Sequence, residues 1–292
     1  MVAMRHVLLL FVLLGQAASF ASSAAAGGKI PWDKIPGVQI SDFKAEFISQ
    51  VEQKLEEIKC YGRCTESVAD CLRKDPPHNS AIRLARDAFF LMAAENGPED
   101  IQKWMEARKK MAHPEWTHSF GLEGMVPLGK KDAPVIFVEF SDFRCPYCAK
   151  VAPLLEQVVK ASGGKARLYF KQFPIKGRPK SLEASKACVA AQAFGKFWEY
   201  CGMLFASRSD LSETALLALA KKVGIDPVRF KKEMEREEVL NRIADEKMEG
   251  LRARIKGTPT VFINGKEVIL RPTRELLDDR IQEELDILNE RD

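Results

Sequence analysis

Pro134-Val-Ile-Phe-Val-Glu-Phe-Ser-Asp-Phe-Arg-Cys-Pro-Tyr-Cys148 is the stretch on which the reading of this chain turns. From Pro134 to Ser141 it is nearly continuous in apolar, β-branched and aromatic residues, the pattern of a strand buried on both faces. Cys145 and Cys148 follow within a few residues. Val151, Leu154, Leu155 and Val158 then recur at helical spacing up to Ser162, and Gly163-Gly164 breaks the run. A strand, a Cys-x-x-Cys pair and a helix are therefore predicted in direct succession.

Downstream, Ala166 to Phe173 predicts a second strand, and Ser181 to about Gly250 is helical in pattern almost throughout. Thr260 to Asn264 predicts a third strand, turned back at Asn264-Gly265 into Lys266 to Leu270. Thr273 to Asn289 closes as an amphipathic helix carrying Leu276, Leu277, Ile281, Leu285 and Leu288. This order predicts a mixed α/β fold around one sheet. Upstream the pattern is helical only. Phe43, Phe47, Ile48, Val51, Leu55 and Ile58 form one stripe; Asn79 opens a second helix with Ile82, Ala85, Phe89 and Met92; Pro98 to about Met111 gives a third with Ile101, Trp104 and Met105. Residues 38–113 are thus expected to form a small all-α domain behind a linker at 27–37. Trp104 is expected in its core, with Trp116 left open.

The first residues address the compartment. Arg5 and His6 precede an apolar run from Val7 to Leu14, and small residues follow from Ala17 to Gly28. This reads as a secretory signal peptide over 1–26, and the run is short for a membrane span. The expected location is the periplasm or another extracytoplasmic space. The formal net charge of +4 is too small to argue for nucleic acid or an anionic membrane surface. Seven cysteines in an oxidising compartment make disulfides the first expectation, and the odd number leaves at least one outside such pairing.

A Cys-x-x-Cys pair occurs in zinc sites and redox sites alike; its position after a buried strand and at a helix start favours redox chemistry. Pro146 suits the first helical position. Cys145 then faces unpaired helix N–H groups and the positive end of the helix dipole, which favour its thiolate. Cys148 lies on the same face, more buried, and would resolve. Stabilising the Cys145 thiolate stabilises the reduced protein and makes the disulfide form the stronger oxidant. Glu139, inside the apolar strand, is read either as a buried carboxyl relaying the Cys148 proton or as a solvated edge residue. Gly257-Thr258-Pro259-Thr260 opens a strand, where proline is allowed.

Phe-Val-Glu-Phe-Ser-Asp-Phe-Arg-Cys-Pro-Tyr-Cys together with Gly-Thr-Pro-Thr-Val-Phe-Ile-Asn-Gly-Lys resembles the DsbA family of the thioredoxin superfamily. The stretch from Ala187-Cys188-Val189-Ala190 through Gly195-Lys196-Phe197-Trp198-Glu199-Tyr200 to Leu204-Phe205 resembles the helical insertion that splits the fold in that family. The resemblance covers roughly residues 117–292, with the insertion at about 178–250. It implies Cys145 as nucleophile, Cys148 as resolving thiol, Pro259 as a cis-proline, Thr258 at the border of the substrate groove with Pro146 and Tyr147 beside it, and Glu139 in the buried-acid position. Pro-Tyr between the cysteines departs from the Pro-His of prototypical DsbA oxidases and is similar to DsbG-like proteins, as is Thr258. A histidine would add positive charge beside the thiolate; Tyr147 does not.

Cys188 and Cys201 flank the helix-breaking Gly195, and a structural disulfide between them is expected; two buried apolar thiols are the alternative. Cys60, Cys64 and Cys71, with His78, leave three readings open: one disulfide and a free thiol, a Cys3His zinc site, or a second redox centre. The surroundings of His78 suggest a loop. Lys109-Lys110 and the charged segment 229–254 read as solvated helix faces.

The function expected is disulfide exchange, in the oxidase, isomerase or reductase direction, with unfolded or partly folded exported proteins. A membrane redox partner is expected and no cofactor. Residues 38–113 offer surface for a homodimer. The competing reading is a metal-binding or scaffolding module built on the N-terminal cysteine cluster.

Overall fold

The computed structural model describes residues 28–289, so the expected signal peptide lies outside the described residues. Four helices come first: α1 (Ala45–Glu57), α2 (Val68–Leu72), α3 (Asn79–Ala93) and α4 (Pro98–Ala112). Val51 and Leu55 of α1, Leu84, Ala85 and Phe89 of α3, and Ile101 and Met105 of α4 converge on one apolar cluster. Gly97 and Pro98 open α4 as the sequence suggests, since proline at the first turn forfeits no hydrogen bond. Of the segment expected as a linker at 27–37, the described residues 28–37 contribute to this core. Ile30, Trp32 and Ile35 are buried in it, and the Trp32 indole donates to Glu52. Trp104 is partly buried and donates to Asp87, whereas Trp116 stands exposed.

The sheet follows: β1 (Leu128–Gly129), β2 (Val135–Ser141), helix α5 (Cys148–Ala161) and β3 (Ala166–Gln172). Helices α6 (Ser181–Ala191), α7 (Phe197–Ala206), α8 (Glu213–Lys222), α9 (Pro227–Met234) and α10 (Glu237–Arg252) interrupt it. It resumes with β4 (Thr260–Ile263) and β5 (Lys266–Glu267), and α11 (Arg274–Asn289) closes the described chain. The strand order is β1-β3-β2-β4-β5. β2 and β3 run parallel, the other pairs antiparallel, with Glu139 opposite Phe170 on one side and Val261 on the other. This is a thioredoxin-like fold with a helical insertion, preceded by helices.

β2 is central, which explains its unbroken apolar run. On one face its Val135 and Phe137 pack with Leu155, Val158 and Val159 of α5 and Leu277 and Ile281 of α11. On the other, Val138 and Phe140 are covered by Phe120, Leu122 and Met125 of an extended strap. The β4–β5 hairpin is shorter than predicted. Asn264 and Gly265 both take positive φ, as a two-residue turn requires, and a Cβ at Gly265 would collide with the His118 carbonyl. β1, too short for a periodicity signal, was not foreseen.

Candidate active site

Cys145 sits in the turn between β2 and α5. Its N–H donates to the Asp142 carbonyl (2.9 Å), and its carbonyl accepts from Ala149 N–H (3.2 Å). Regular helix begins only at Cys148, so Pro146 lies in the approach turn rather than at the first helical position. The amides of Tyr147 and Cys148 still face the Cys145 sulfur, as a helix start provides. Pro146 and Tyr147 project outward, Tyr147 69% exposed, while Cys145 is 1% exposed and Cys148 fully buried.

The Gly257–Thr260 loop closes over the sulfur. Thr258–Pro259 is cis, and Cys145 Sγ lies 3.1 Å from the Thr258 carbonyl oxygen, to which the thiol donates. The Thr258 hydroxyl is buried without a hydrogen-bond partner among the described residues and faces the same sulfur. Burial by itself would raise the Cys145 pKa. The Cys148 amide and thiol, the Thr258 side chain and the Tyr147 amide outweigh it and hold Cys145 below an ordinary thiol. Cys148 goes strongly the other way, through burial first and then the neighbouring Glu139 charge. The two thiols are thus driven apart, one toward thiolate and one toward thiol.

Glu139 is completely buried, which excludes the solvated edge reading. Burial pushes its carboxyl up to about 8; the Ser141 side chain opposes this, while Glu156 and Cys145 add to it. Neither carboxyl oxygen has a hydrogen-bond partner among the described residues. At neutral pH the group is largely protonated, beside a thiol that resists ionisation.

Asp142 carries no signal in the sequence, yet it organises the turn. Its fully buried carboxylate accepts from Arg144 N–H (2.7 Å), Ile175 N–H (2.8 Å) and Ser181 Oγ (3.0 and 3.1 Å), and Arg178 approaches to 3.6 Å. It ties the cysteine turn to the loop between β3 and α6. Phe143 adds apolar anchorage, packed on Phe170 and Phe205.

The remaining cysteines stand apart. Cys188 and Cys201 are disulfide-bonded and join α6 to α7. Cys64 and Cys71 form a second disulfide, which leaves Cys60 free and buried against Ser80 (3.3 Å). The zinc reading of Cys60, Cys64, Cys71 and His78 therefore fails: two of its four ligands are consumed, and no group of three or more potential metal ligands occurs among the described residues. His78 precedes α3 in a loop, and its N–H donates to the Cys71 carbonyl. Glu246 overturns part of the solvated reading of 229–254, since it is buried, paired with Arg242 and accepts from the Gln172 amide.

A family model described as thioredoxin matches residues 122–283. A probable disulfide bond formation protein D from Bacillus anthracis is 31% identical over 170 residues, 54% of this chain and 77% of that protein. Na(+)/H(+) antiporter NhaA 1 from Mycolicibacterium gilvum is 31% identical over 141 residues, 47% of this chain but 23% of the antiporter. This chain therefore spans about a quarter of the length of the curated antiporters it matches. Among solved structures, a thioredoxin-like oxidoreductase from Silicibacter pomeroyi superposes with a TM-score of 0.51 at 27% identity, over 57% of this chain and 94% of that one. Among the described residues no helix is long and apolar enough to cross a membrane.

Proposed function

The chain belongs to the thioredoxin family, and on that premise we propose that it is an exported thiol–disulfide oxidoreductase working through Cys145 and Cys148 on unfolded or partly folded proteins. The observation that carries this reading is the placement of the Cys145 sulfur 3.1 Å from the Thr258 carbonyl, in the turn that leads into α5, with Cys148 buried behind it. In the oxidising direction, a substrate thiolate attacks Cys145 Sγ of the Cys145–Cys148 disulfide. The S–S bond breaks, and Cys148 departs with the electron pair and takes up the Glu139 proton. A second substrate thiolate then attacks the substrate sulfur of the mixed disulfide. A substrate disulfide forms and Cys145 leaves as its stabilised thiolate. The substrate loses two electrons, the cysteine pair gains two, and a membrane redox partner is the proposed acceptor that resets it. Run backwards, the same steps reduce a substrate disulfide, and attack by the Cys145 thiolate followed by re-closure between other substrate cysteines isomerises it with no net change of electrons.

Thr258 and Pro259 border the groove in which the substrate backbone lies extended, with Pro146 and Tyr147 exposed beside it. Cys145→Ser tests the reading. Insulin reduction and refolding of a reduced, scrambled substrate are expected to fall to background. Persistence of either activity in that variant overturns the proposal.

A further inference from the structure

Three loops converge on the cysteine turn, each fastened to it by a bond already in view or close to one. The 253–259 loop meets it through Thr258 and Cys145 Sγ. The 174–181 loop meets it through Ile175, Arg178 and Ser181 on Asp142. The 207–210 loop meets it through the Arg208 and Ser209 carbonyls, which accept from the Arg144 guanidinium. These loops come from separate parts of the sequence, so no cationic run appears along the chain. The three loops that fasten to the turn nonetheless carry Lys176, Arg178, Lys180, Arg208, Arg254 and Lys256 between them. All are exposed except the half-buried Arg178. The counter-charge is thin. Against these six cations stand three carboxylates: Asp142, which takes up Arg178 at 3.6 Å, Asp210, and Glu183, which reaches Lys180 only at 3.9 Å. Lys176, Arg208, Arg254 and Lys256 make no ion pair among the described residues. A chain of net charge +4 thus holds a local excess beside its nucleophile. Apolar surface adjoins it, with Tyr147 and Leu182 both exposed.

From this we infer that the redox face selects polypeptide segments in which acidic residues flank the reacting cysteine, with an apolar residue nearby. The inference rests on the oxidoreductase reading and specifies its substrate class. A polypeptide is favoured over an anionic lipid surface because the loops that carry the cations are fastened to the turn of a sulfur whose chemistry needs a partner thiol, which a lipid lacks. Opposite charge across such a rim raises encounter rates by 10 to 1,000-fold and fades with salt. At 0.1 M salt the screening length is about 10 Å, and at 1 M about 3 Å.

The test uses the oxidised full-length protein and three dithiol peptides of one length, their two cysteines flanked by Glu, Gln or Lys. Stopped-flow rates at low salt are expected in the order Glu, Gln, Lys, with the acidic peptide roughly tenfold ahead of the neutral one. The ratio should collapse toward one at 1 M salt. Lys176→Gln/Arg208→Gln/Lys256→Gln should bring it near one at low salt. Lys103→Gln/Lys109→Gln/Lys110→Gln on α4 removes the same net charge and should preserve it. Equal rates for the three peptides in the parent, or equal loss from both triple variants, would overturn the inference. So would rim-dependent binding to phosphatidylglycerol vesicles combined with no peptide preference, which would reassign the patch to lipid. If the neutral peptide fails to react at all, it is the oxidoreductase reading that falls.

Discussion

Glu139 shows what a single buried side chain imposes on the molecule. A carboxyl raised from the ordinary glutamate range to about 8 binds its proton more tightly in the folded state than in the unfolded one. Stability from this source is complete below the unfolded pKa and is lost as pH rises through about 8, at roughly 1.4 kcal/mol per pH unit between the two values. Glu139→Gln keeps the shape and cannot ionise. Urea melts of parent and variant are expected to agree near pH 4–5 and to diverge steadily up to pH 8–9, with the variant the more stable. Parallel curves over that range would exclude a raised carboxyl. The variant should also form the mixed disulfide more slowly, since Cys148 then departs without a nearby proton. The residue-scale site was largely legible in the sequence, because Cys145, Cys148 and Glu139 lie within ten residues on one strand and turn. Asp142 was not. Its partners Ile175, Ser181 and Arg178 stand 33 to 39 residues away, and nothing local marks a carboxylate whose bonds are all made after folding.

At the scale of elements, periodicity recovered β2, α5 and the helical insertion because each buries one continuous apolar set. It failed where burial is shared or pairing is brief. β1 is two residues, shorter than any alternation that could be recognised, and β5, also two, was placed by the Asn264-Gly265 turn but drawn out to Leu270. The α6–α7 hairpin was legible through Gly195, whose φ of +69° ends the first helix and turns the chain back. That turn brings Cys188 and Cys201 to a Cα separation of 5.3 Å, within the range a disulfide spans. The pair closes a loop of sequence separation 13, for which loss of unfolded-chain entropy corresponds to about 3 kcal/mol. Cys188→Ala/Cys201→Ala is accordingly expected to lose 2–3 kcal/mol in denaturant melts under oxidising conditions and to retain insulin reduction. The same melts in dithiothreitol should narrow the gap between parent and variant. Loss of insulin reduction from a variant that melts normally would assign this pair a redox role.

At the scale of the whole molecule, α11 is the hinge of the architecture, and its two faces speak to different partners. Leu277 and Ile281 pack under the sheet with α5. Asp279, Arg280 and Glu283, which an amphipathic reading leaves facing water, are instead buried against the N-terminal helices, and Glu284 is buried against Asn264 and Lys266 of the hairpin. Arg280 pairs with Glu283 and Glu284 and donates to the Met111 carbonyl, Tyr61 donates to Glu283, and Arg83 holds Asp286 at 2.8 Å. Arg108 of α4 is the most enclosed of these groups, with no exposed surface. It lies 3.2 Å from Asp87 of α3 and 3.5 Å from Asp279 of α11. Desolvation makes such a seam a poor source of net stability, yet breaking one member is costly, because its partners stay buried and charged. Arg108→Met leaves Asp87 and Asp279 facing one another with Arg86 beside both and Trp104 donating to Asp87. The expected loss is about 3–5 kcal/mol by urea denaturation. Arg108→Met/Asp279→Leu removes one of the stranded charges and should recover more than 1 kcal/mol of it. A loss below 1 kcal/mol for the single variant would mean that water reaches the seam and that the helices rest on the thioredoxin unit without being locked to it. Because the opposite face of α11 packs with β2, the strand that leads into Cys145, the parent is expected to unfold in one transition. Tryptophan fluorescence of a Trp116→Phe/Trp198→Phe background, which reports Trp32 and Trp104 on the N-terminal side, should then coincide with the onset of Cys148 alkylation.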